Sequence, residues 1–487
     1  MLAASRSGPF VSRDADSCDS LANAYWPHNA YAGAAERVVT AGNIAYVGTV
    51  NGGVWKTNDF SMAATTTDIG LPHWCARLDW NHDNLLSSFY SRSPASVRFP
   101  STEQSGAACS SIAALAIDPA DATKLAAGCG YPSNFKTIGS QVGGVALTLN
   151  SGSTWTMTQF GVVSAMTGAT PDCNGNGVLQ LGISDIVMSS SAIVVSVSTS
   201  RCGQGLLVGS SNNLGIWLSV NNGAQWSKVY TPSSARKSVF SMRADPVDGA
   251  FISAVSVEGV AVSRDSGATF ALTAGSATLA TNNAAVSGAD NAVVSSATVG
   301  GTRRIYAGFF KSGPSTYAIY WSDDAATSTS PGATFTAMSE PATNDGGTTN
   351  GLGDQGVMNF CILADPTNLD FVYVGGTGNP TGSSSAVGNR FQTARLFRGS
   401  KTTDAWTSIV GSSTFTYTGG APASGPHTDT RYLVWDPNVA GGSLINTNDG
   451  GSYLRTFPQN NTGIWYTNLR FIPTVLFFLV QQIHSHA

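Results

Sequence analysis

The chain has 487 residues, a formal net charge of −4, only 11% charged residues and 54 glycines. Its length exceeds the roughly 100–200 residues of an ordinary single domain, and its composition suits short strands joined by tight turns, which excludes helical bundles and disordered tails. With no basic footprint, a nucleic-acid partner is excluded, and the absence of any CxxC pair among the seven cysteines argues against zinc-ribbon and thioredoxin-type chemistry.

Residues 1–35 read as an N-terminal lead-in without the apolar core of a secretory signal. Composition alone suggests an extracellular or periplasmic address. The first unit, 36–60, opens with Glu36-Arg37-Val38-Val39 and continues through Ala45-Tyr46-Val47-Gly48 to Trp55-Lys56. Residues 61–110 lack periodicity and read as an inserted loop. Within it Trp74, Trp80, Phe89 and Tyr90 stand among Arg77, Asp79, His82 and Asp83. Such aromatics can stack on sugar faces, or form a small satellite core under the loop.

Six further units follow at 111–160, 181–230, 238–273, 284–338, 356–410 and 427–470. Two signals mark them. Apolar runs end in Asp-Pro turns at Asp118-Pro119, Asp245-Pro246, Asp365-Pro366 and Asp436-Pro437, where proline ends a strand cleanly. A second pattern, Ser/Thr-x-Asp/Asn-x-Gly-x-Thr-Trp/Phe, recurs around Asn150, Asn221 and Asp265, and in split form around Asp324 and Gly332. Partial copies lie at 56–59 and at Thr447-Asn448-Asp449-Gly450-Gly451. The side-chain oxygen of Asp or Asn bonds the backbone within its own turn, and the glycine supplies a positive φ. It is a turn device rather than a catalytic one.

Cys109 and Cys129 flank the Asp118-Pro119 turn, and Cys173 and Cys202 flank Ser189-Ser190-Ser191. Each pair would face across two strands at disulfide distance, or else remain as buried thiols. The richest polar segment is His427-Thr428-Asp429-Thr430-Arg431. If it is a strand, alternation places His427, Asp429 and Arg431 on one side. There they could bind an anion, orient water or move a proton, or form a structural ion-pair cluster. Asn344-Asp345-Gly346-Gly347 and Asn174-Gly175-Asn176-Gly177 admit calcium or simple tight turns. No other cofactor and no metal site are expected. Asn460-Asn461-Thr462 is a glycosylation sequon if the protein is exported. The apolar run 471–480 is too short to span a membrane and reads as an atypical or mis-ended tail.

The Ser/Thr-x-Asp/Asn-x-Gly motif is the Asp-box, and over about 36–460 the chain resembles the BNR-repeat propellers: sialidases, xyloglucanases, sortilin-type domains and photosystem assembly factors. The resemblance implies an all-β fold, a single β-propeller of about seven four-stranded blades, with Asn150, Asn221, Asp265, Asp324 and Asp449 as structural box residues. The segment His427 to Arg431 followed by Asn448-Asp449-Gly450-Gly451 looks like the last blade of BNR-type hydrolase-like proteins. By this resemblance Asp429 would carry activity, with His427 and Arg431 assisting. Arg37 would contact substrate across the channel, with Trp74 and Trp80 as further substrate contacts. Xyloglucanase-like propellers place an acidic base before the Gly-Gly pair, where this chain has Val50-Asn51. Sialidases use three arginines, for which Arg37, Arg243, Arg303 or Arg304, and Arg431 stand by position. They also need a Tyr-Glu pair, and only four glutamates are present. The expected function is a monomeric propeller that binds, and in the enzymatic case hydrolyses, glycans. The alternative is a non-catalytic scaffold for a protein partner.

Overall fold

The computed structural model describes residues 35–42, 44–49, 53–57, 75–78, 109, 112–129, 143–165, 178–199, 209–210, 212–233, 239–282, 284–313, 316–341, 351–378, 394–410, 425–437, 441–449 and 451–467. β-Branched, aromatic and small residues punctuated by glycine turns give 30 strands and two short helices among them. The strands group into seven antiparallel sheets, each built from one continuous stretch of chain.

Blade 1 comprises Ala35–Ala41, Ile44–Thr49, Gly53–Thr57 and Cys75–Leu78. Blade 2 comprises Ile112–Asp118, Asp121–Cys129, Gly144–Thr148 and Thr156–Thr158. Blade 3 comprises Val178–Met188, Ile193–Thr199, Gly215–Ser219 and Ser227–Tyr230, its sheet extended beyond the first strand by Val162–Ala165 and Gly209–Ser210. Blade 4 comprises Ser241–Ala244, Ile252–Ser256, Gly259–Ser263 and Ala271–Leu272. Blade 5 comprises Asn291–Val299, Thr302–Lys311, Thr316–Ala325 and Thr336–Met338. Blade 6 comprises Cys361–Ala364, Phe371–Gly378, Ala394–Ser400 and Ala405–Ser408. Blade 7 comprises Tyr432–Asp436, Ser443–Asn448, Gly451–Thr456 and Trp465–Thr467. The first strand of each blade neighbours that of the next, and blade 7 returns to blade 1. The chain is a seven-bladed ring of four-stranded sheets, as the repeat spacing implied.

Three unit boundaries differ from the sequence reading. Cys75–Leu78 is the outer strand of blade 1, so that blade reaches into the stretch expected to be an insertion. Blade 3 begins earlier, at Val162. Residues 284–287 belong to the second of two short helices, Ser276–Asn282 and Ala284–Ser287. Leu279 of the first and Ala285 and Val286 of the second pack into the seam between blades 4 and 5.

Apolar burial is organised by seam. Each of the seven junctions between neighbouring blades holds its own cluster of buried side chains. Between blades 7 and 1 the cluster is Ala35, Val38, Ala45 and Val47 against Ile445 and Leu454. Each fully buried aliphatic side chain contributes about 1.5–3 kcal/mol relative to exposure, so a ring of such sheets stabilises itself one interface at a time. Close approach at the seams depends on small residues in the second strands. A Cβ on Gly128 would lie 2.7 Å from Ile183 Cγ2 of the next blade.

The recurring turn has one hydrogen-bond pattern in three blades, always between the third and fourth strands. Ser263 Oγ donates to Asp265 Oδ1 at 2.8 Å, and the backbone N–H groups of Gly267 and Thr269 donate to Ser263 Oγ and Asp265 Oδ1 at 2.8 and 2.9 Å. Thr148, Asn150, Gly152 and Thr154 repeat this set in blade 2, and Ser219, Asn221, Gly223 and Gln225 repeat it in blade 3. Ser151, Asn222 and Ser266 take positive φ of 59°, 54° and 57° ahead of glycines at 87°, 78° and 90°. Trp155 and Trp226 close their turns by donating Nε1–H to Gly152 O and Gly223 O. Asp324, in the interrupted copy, lies near the Gly332 backbone and Arg303, but its carboxylate makes none of these side-chain bonds among the described residues.

The Asp-Pro turns join first and second strands. In them Asp118, Asp245 and Asp365 accept from the N–H two residues on, at 2.9, 2.9 and 2.8 Å. Both kinds of turn lie on one face of the ring, since Ser151 N–H donates to Thr123 O and Ser266 N–H to Ala250 O. Cys109 and Cys129 form a disulfide at a Cα–Cα distance of 5.3 Å. Cys173 and Cys202 lie outside the described residues.

Candidate functional site

The opposite face carries the chain entering each first strand and the hairpins between second and third strands. The segment 427–431 lies there, ahead of the first strand of blade 7. It is not a strand, because regular pairing begins only at Tyr432. Asp429 adopts φ 66°, a left-handed conformation that Asp tolerates better than most side chains. Strand alternation therefore does not govern how His427, Asp429 and Arg431 are disposed.

A chain of contacts still groups them. Thr428 Oγ1 donates to Asp429 Oδ2 at 3.1 Å and lies 3.4 Å from His427 Nδ1. Asn359, buried just before the first strand of blade 6, donates Nδ2–H to Asp429 Oδ1 at 3.1 Å and to Gln355 Oε1 at 3.0 Å. Burial, and then the charge of Asp449, push the Asp429 carboxyl above the usual carboxylate range, with Arg431 partly opposing them.

Arg431 is the hub. Its Nη1 donates to Glu36 Oε2 at 3.1 Å and its Nε to Asp449 Oδ1 at 2.9 Å. Burial opposes its charge, but Asp449 and Glu36 more than offset this and hold the guanidinium above its ordinary value. Thr447 Oγ1 donates to Glu36 O at 3.1 Å. Asp449 is thus placed differently from the expectation that it was a box residue. It sits in the hairpin between second and third strands, on the face opposite the recurring turns, as a partner of Arg431.

Arg37 is likewise not across the channel. Blades 7 and 1 are neighbours, and Arg37 Nη1 lies 3.4 Å from both Glu36 Oε1 and Arg431 O. Its guanidinium sits over the Tyr432 ring, 4.4 Å from the centroid. Arg243 approaches the same ring at 3.9 Å and donates to Leu433 O at 3.1 Å. Arg303 and Arg304 are elsewhere, bound to Asp245 and Asp248 and to Asp323 respectively. Of the arginines singled out, Arg37, Arg243 and Arg431 line the central cavity. Trp74, Trp80 and both Asn/Gly-rich calcium candidates lie outside the described residues. Among the described residues no group of three or more His, Cys, Asp or Glu is placed to hold a metal ion.

Glu36 and Asn359 were not singled out as site residues. Glu36 had a usable signal, as one of four glutamates in the chain. Asn359 had none, because its role depends on blade 6 lying against blade 7. The cavity offers about 30 Å³ to the centres of water-sized particles, room for one or two waters. A sugar ring could occupy only the mouth.

No protein-family model matches the chain, and no curated protein matches it. Among solved structures it is similar to the GH74 xyloglucanase from Xanthomonas campestris, with TM-score 0.50 and 14% identity over 90% of this chain and 55% of that one. It is also similar to an ancestral GH74 enzyme, with TM-score 0.51 and 14% identity over 92% and 48%. The fold is a β-propeller. Trypanosoma rangeli sialidase in complex with sialic acid aligns at TM-score 0.36 and 11% identity, over 77% of this chain and 57% of that one. The propeller spans about half the length of the two GH74 structures. Among the described residues no helix is long and apolar enough to cross a membrane.

Proposed function

We propose that this propeller binds a glycan at the channel mouth where blades 6, 7 and 1 meet, with Asp429 as a carboxylic acid that donates to a sugar oxygen. The supporting observation is the setting of Asp429. It is held at positive φ, tethered by Asn359 from the neighbouring blade, and raised in pKa by burial and by Asp449. Raised carboxyls in clefts are the groups that act as hydrogen-bond or proton donors near neutral pH. In a hydrolytic case Asp429 would protonate the departing glycosidic oxygen, while a second carboxylate activated water. We read the three recurring turns as Asp-boxes of the BNR type. The Cys109–Cys129 disulfide supports an extracellular or periplasmic setting.

The test is a panel of soluble polysaccharides and sialoglycans, assayed for binding and for release of reducing ends or sialic acid, with Asp429→Asn alongside. Saturable binding to one class that weakens at least tenfold in the variant supports the reading, and release lost in the variant adds hydrolysis. A folded protein that binds and releases nothing overturns it. The second reading, a non-catalytic scaffold, is favoured by the narrow cavity and by the protein carboxylates that already hold Arg431.

A further inference from the structure

The turn between the third and fourth strands of blade 7 holds a site that the mouth does not use. Asn460-Asn461-Thr462 is the one Asn-x-Ser/Thr triplet of the chain apart from Asn379-Pro380-Thr381, where proline bars the acceptor role. The residues around Asn460 are pinned to the ring. Arg398 of blade 6 donates to Pro458 O at 3.2 Å and to Asn461 Oδ1 at 2.8 Å. Arg455 Nη2 donates to Asn460 O at 3.1 Å, and Gln459 Nε2 to Asp365 Oδ2 at 2.9 Å. The turn is thus fixed, while Asn460 and Thr462 are exposed.

The carboxamide of Asn460 is oriented, and one end of it is spare. Its Oδ1 accepts from Thr462 N–H at 2.9 Å and from Thr462 Oγ1 at 2.8 Å. Its Nδ2, on the other side of the planar group, makes no hydrogen bond among the described residues. A substituent there replaces one N–H hydrogen and leaves both Oδ1 bonds in place. Phe457 opens the same turn. Asn460 N–H donates to Phe457 O at 3.2 Å, which holds the two residues at the ends of a four-residue turn, within about 7 Å of each other. Phe457 is 53% exposed, the one exposed aromatic among the described residues, and takes φ 44°. A bulky side chain at positive φ is a conformational outlier, and such outliers cluster where a segment serves a ligand. An aromatic face open to water beside an amide nitrogen open to water suits a sugar, whose C–H face covers the ring. The Cys109–Cys129 disulfide fits the oxidising compartments in which asparagine is glycosylated.

We propose that Asn460 is an N-glycosylation site and that Phe457 is the platform for its first sugar. In the transfer, Asn460 Nδ2 forms a bond to the anomeric carbon of a polyprenyl-diphosphate-linked oligosaccharide. The bond from that carbon to the diphosphate oxygen breaks, the diphosphate departs with the electron pair, and Nδ2 gives up a proton to the transferase's base. The glycan projects from the face of the recurring turns, opposite the mouth, so the site shares with the proposed function only the extracellular setting.

For the test, the full chain is secreted behind a cleavable leader from N-glycosylating cells and is also prepared unglycosylated from a disulfide-forming bacterial host. Peptide mass spectrometry reads occupancy at Asn460, which Thr462→Ser retains and Thr462→Ala loses. Melting of the two preparations then reads the platform. The glycan raises Tm by about 1 °C in the wild type, trimming to the first sugar keeps that gain, and Phe457→Ala abolishes it. Phe457→Leu, apolar but without a ring, reads the same loss if Phe457→Ala does not fold. A folded, secreted chain unmodified at Asn460 overturns the site. No gain in the wild type, or an equal gain in the Phe457 variant, overturns the platform.

Discussion

Glu36 and Arg431 meet at 3.1 Å although they stand 395 residues apart in sequence. With Asp449 on the other side of the guanidinium, they tie the last blade to the first at a seam that none of the described strands crosses. Removing one partner of a buried ion pair costs about 3–5 kcal/mol. Glu36→Ala should therefore lower the urea-derived unfolding free energy towards the lower end of that range, since Arg431 keeps Asp449. Glu36→Leu with Arg431→Met should recover only part of the loss, because Arg37 still loses Glu36 and Asp449 loses Arg431.

Asp429 should make stability fall as pH rises. Its folded pKa is raised, so below the unfolded value of about 3.9 it imposes nothing, and above its folded pKa the charged form opposes folding in full. Asn also tolerates positive φ and keeps an acceptor for Asn359. Asp429→Asn should thus raise Tm at pH 7 and leave it unchanged at pH 3, as differential scanning calorimetry at the two values would read.

The turn in blade 4 behaves oppositely. Burial alone would raise Asp265, but bonds from Thr269 and Ser263 bring its pKa below the ordinary value. Its contribution is present above the unfolded pKa and lost as pH falls through the folded one. Asp265→Asn should be nearly neutral at pH 7 and remove that acid dependence. Blades 2 and 3 already use Asn here, the hydroxyl of Thr154 accepting from Asn150 Nδ2 where Thr269 donates to Asp265 Oδ2. Asp265→Ala should cost roughly 1–3 kcal/mol through the donors it abandons.

Gly128→Ala should destabilise by roughly 1–3 kcal/mol. The added methyl would lie 2.8 Å from Ile183 Cβ and 3.1 Å from Ala114 Cβ, both on first strands, and neither can turn away. Gly128→Ala with Ile183→Ala should relieve the clash but leave the double variant short of wild type. Chemical denaturation of the three proteins checks it.

Reduction should matter to blade 2 most. The Cys109–Cys129 bridge closes a stretch of 20 residues, and a crosslink of that span contributes typically about 2–4 kcal/mol. Cys109→Ala with Cys129→Ala should lower Tm and reduce its sensitivity to dithiothreitol. Cys361 is buried and pushed up to about 12 by that burial, so it should stay unmodified by iodoacetamide in the native state.

What could be read from sequence was whatever physics acts within a few residues. The three recurring turns and the Asp-Pro turns each bond their own backbone, so residue type and spacing expose them. Asp449 shows the limit, since an Asn-Asp-Gly-Gly turn between second and third strands looks like the turn that follows a third strand. The segment from His427 to Arg431 misled through one dihedral angle, since the positive φ of Asp429 breaks the period of two. A further signal passed without notice: the second strands carry glycine in similar apolar runs at Gly48, Gly128, Gly308 and Gly375, each facing a residue of the next blade. Pairings that need the closed ring, Asn359 with Asp429 and Arg243 with Tyr432, leave no local trace.

Because every blade is a continuous segment and the ring shuts through side chains between blades 7 and 1, the molecule is mechanically a split washer. Tension applied through residues 35 and 467 would bear on that gap before it reached any sheet. Sliding strands past one another breaks several backbone bonds together, whereas parting the gap, among the described residues, breaks side-chain contacts: Arg431 and Thr447 with Glu36, Arg37 with Arg431 O and Tyr432, and six small or aliphatic side chains. Such a wheel opens at one known spoke, and the six other junctions stay shut until it does.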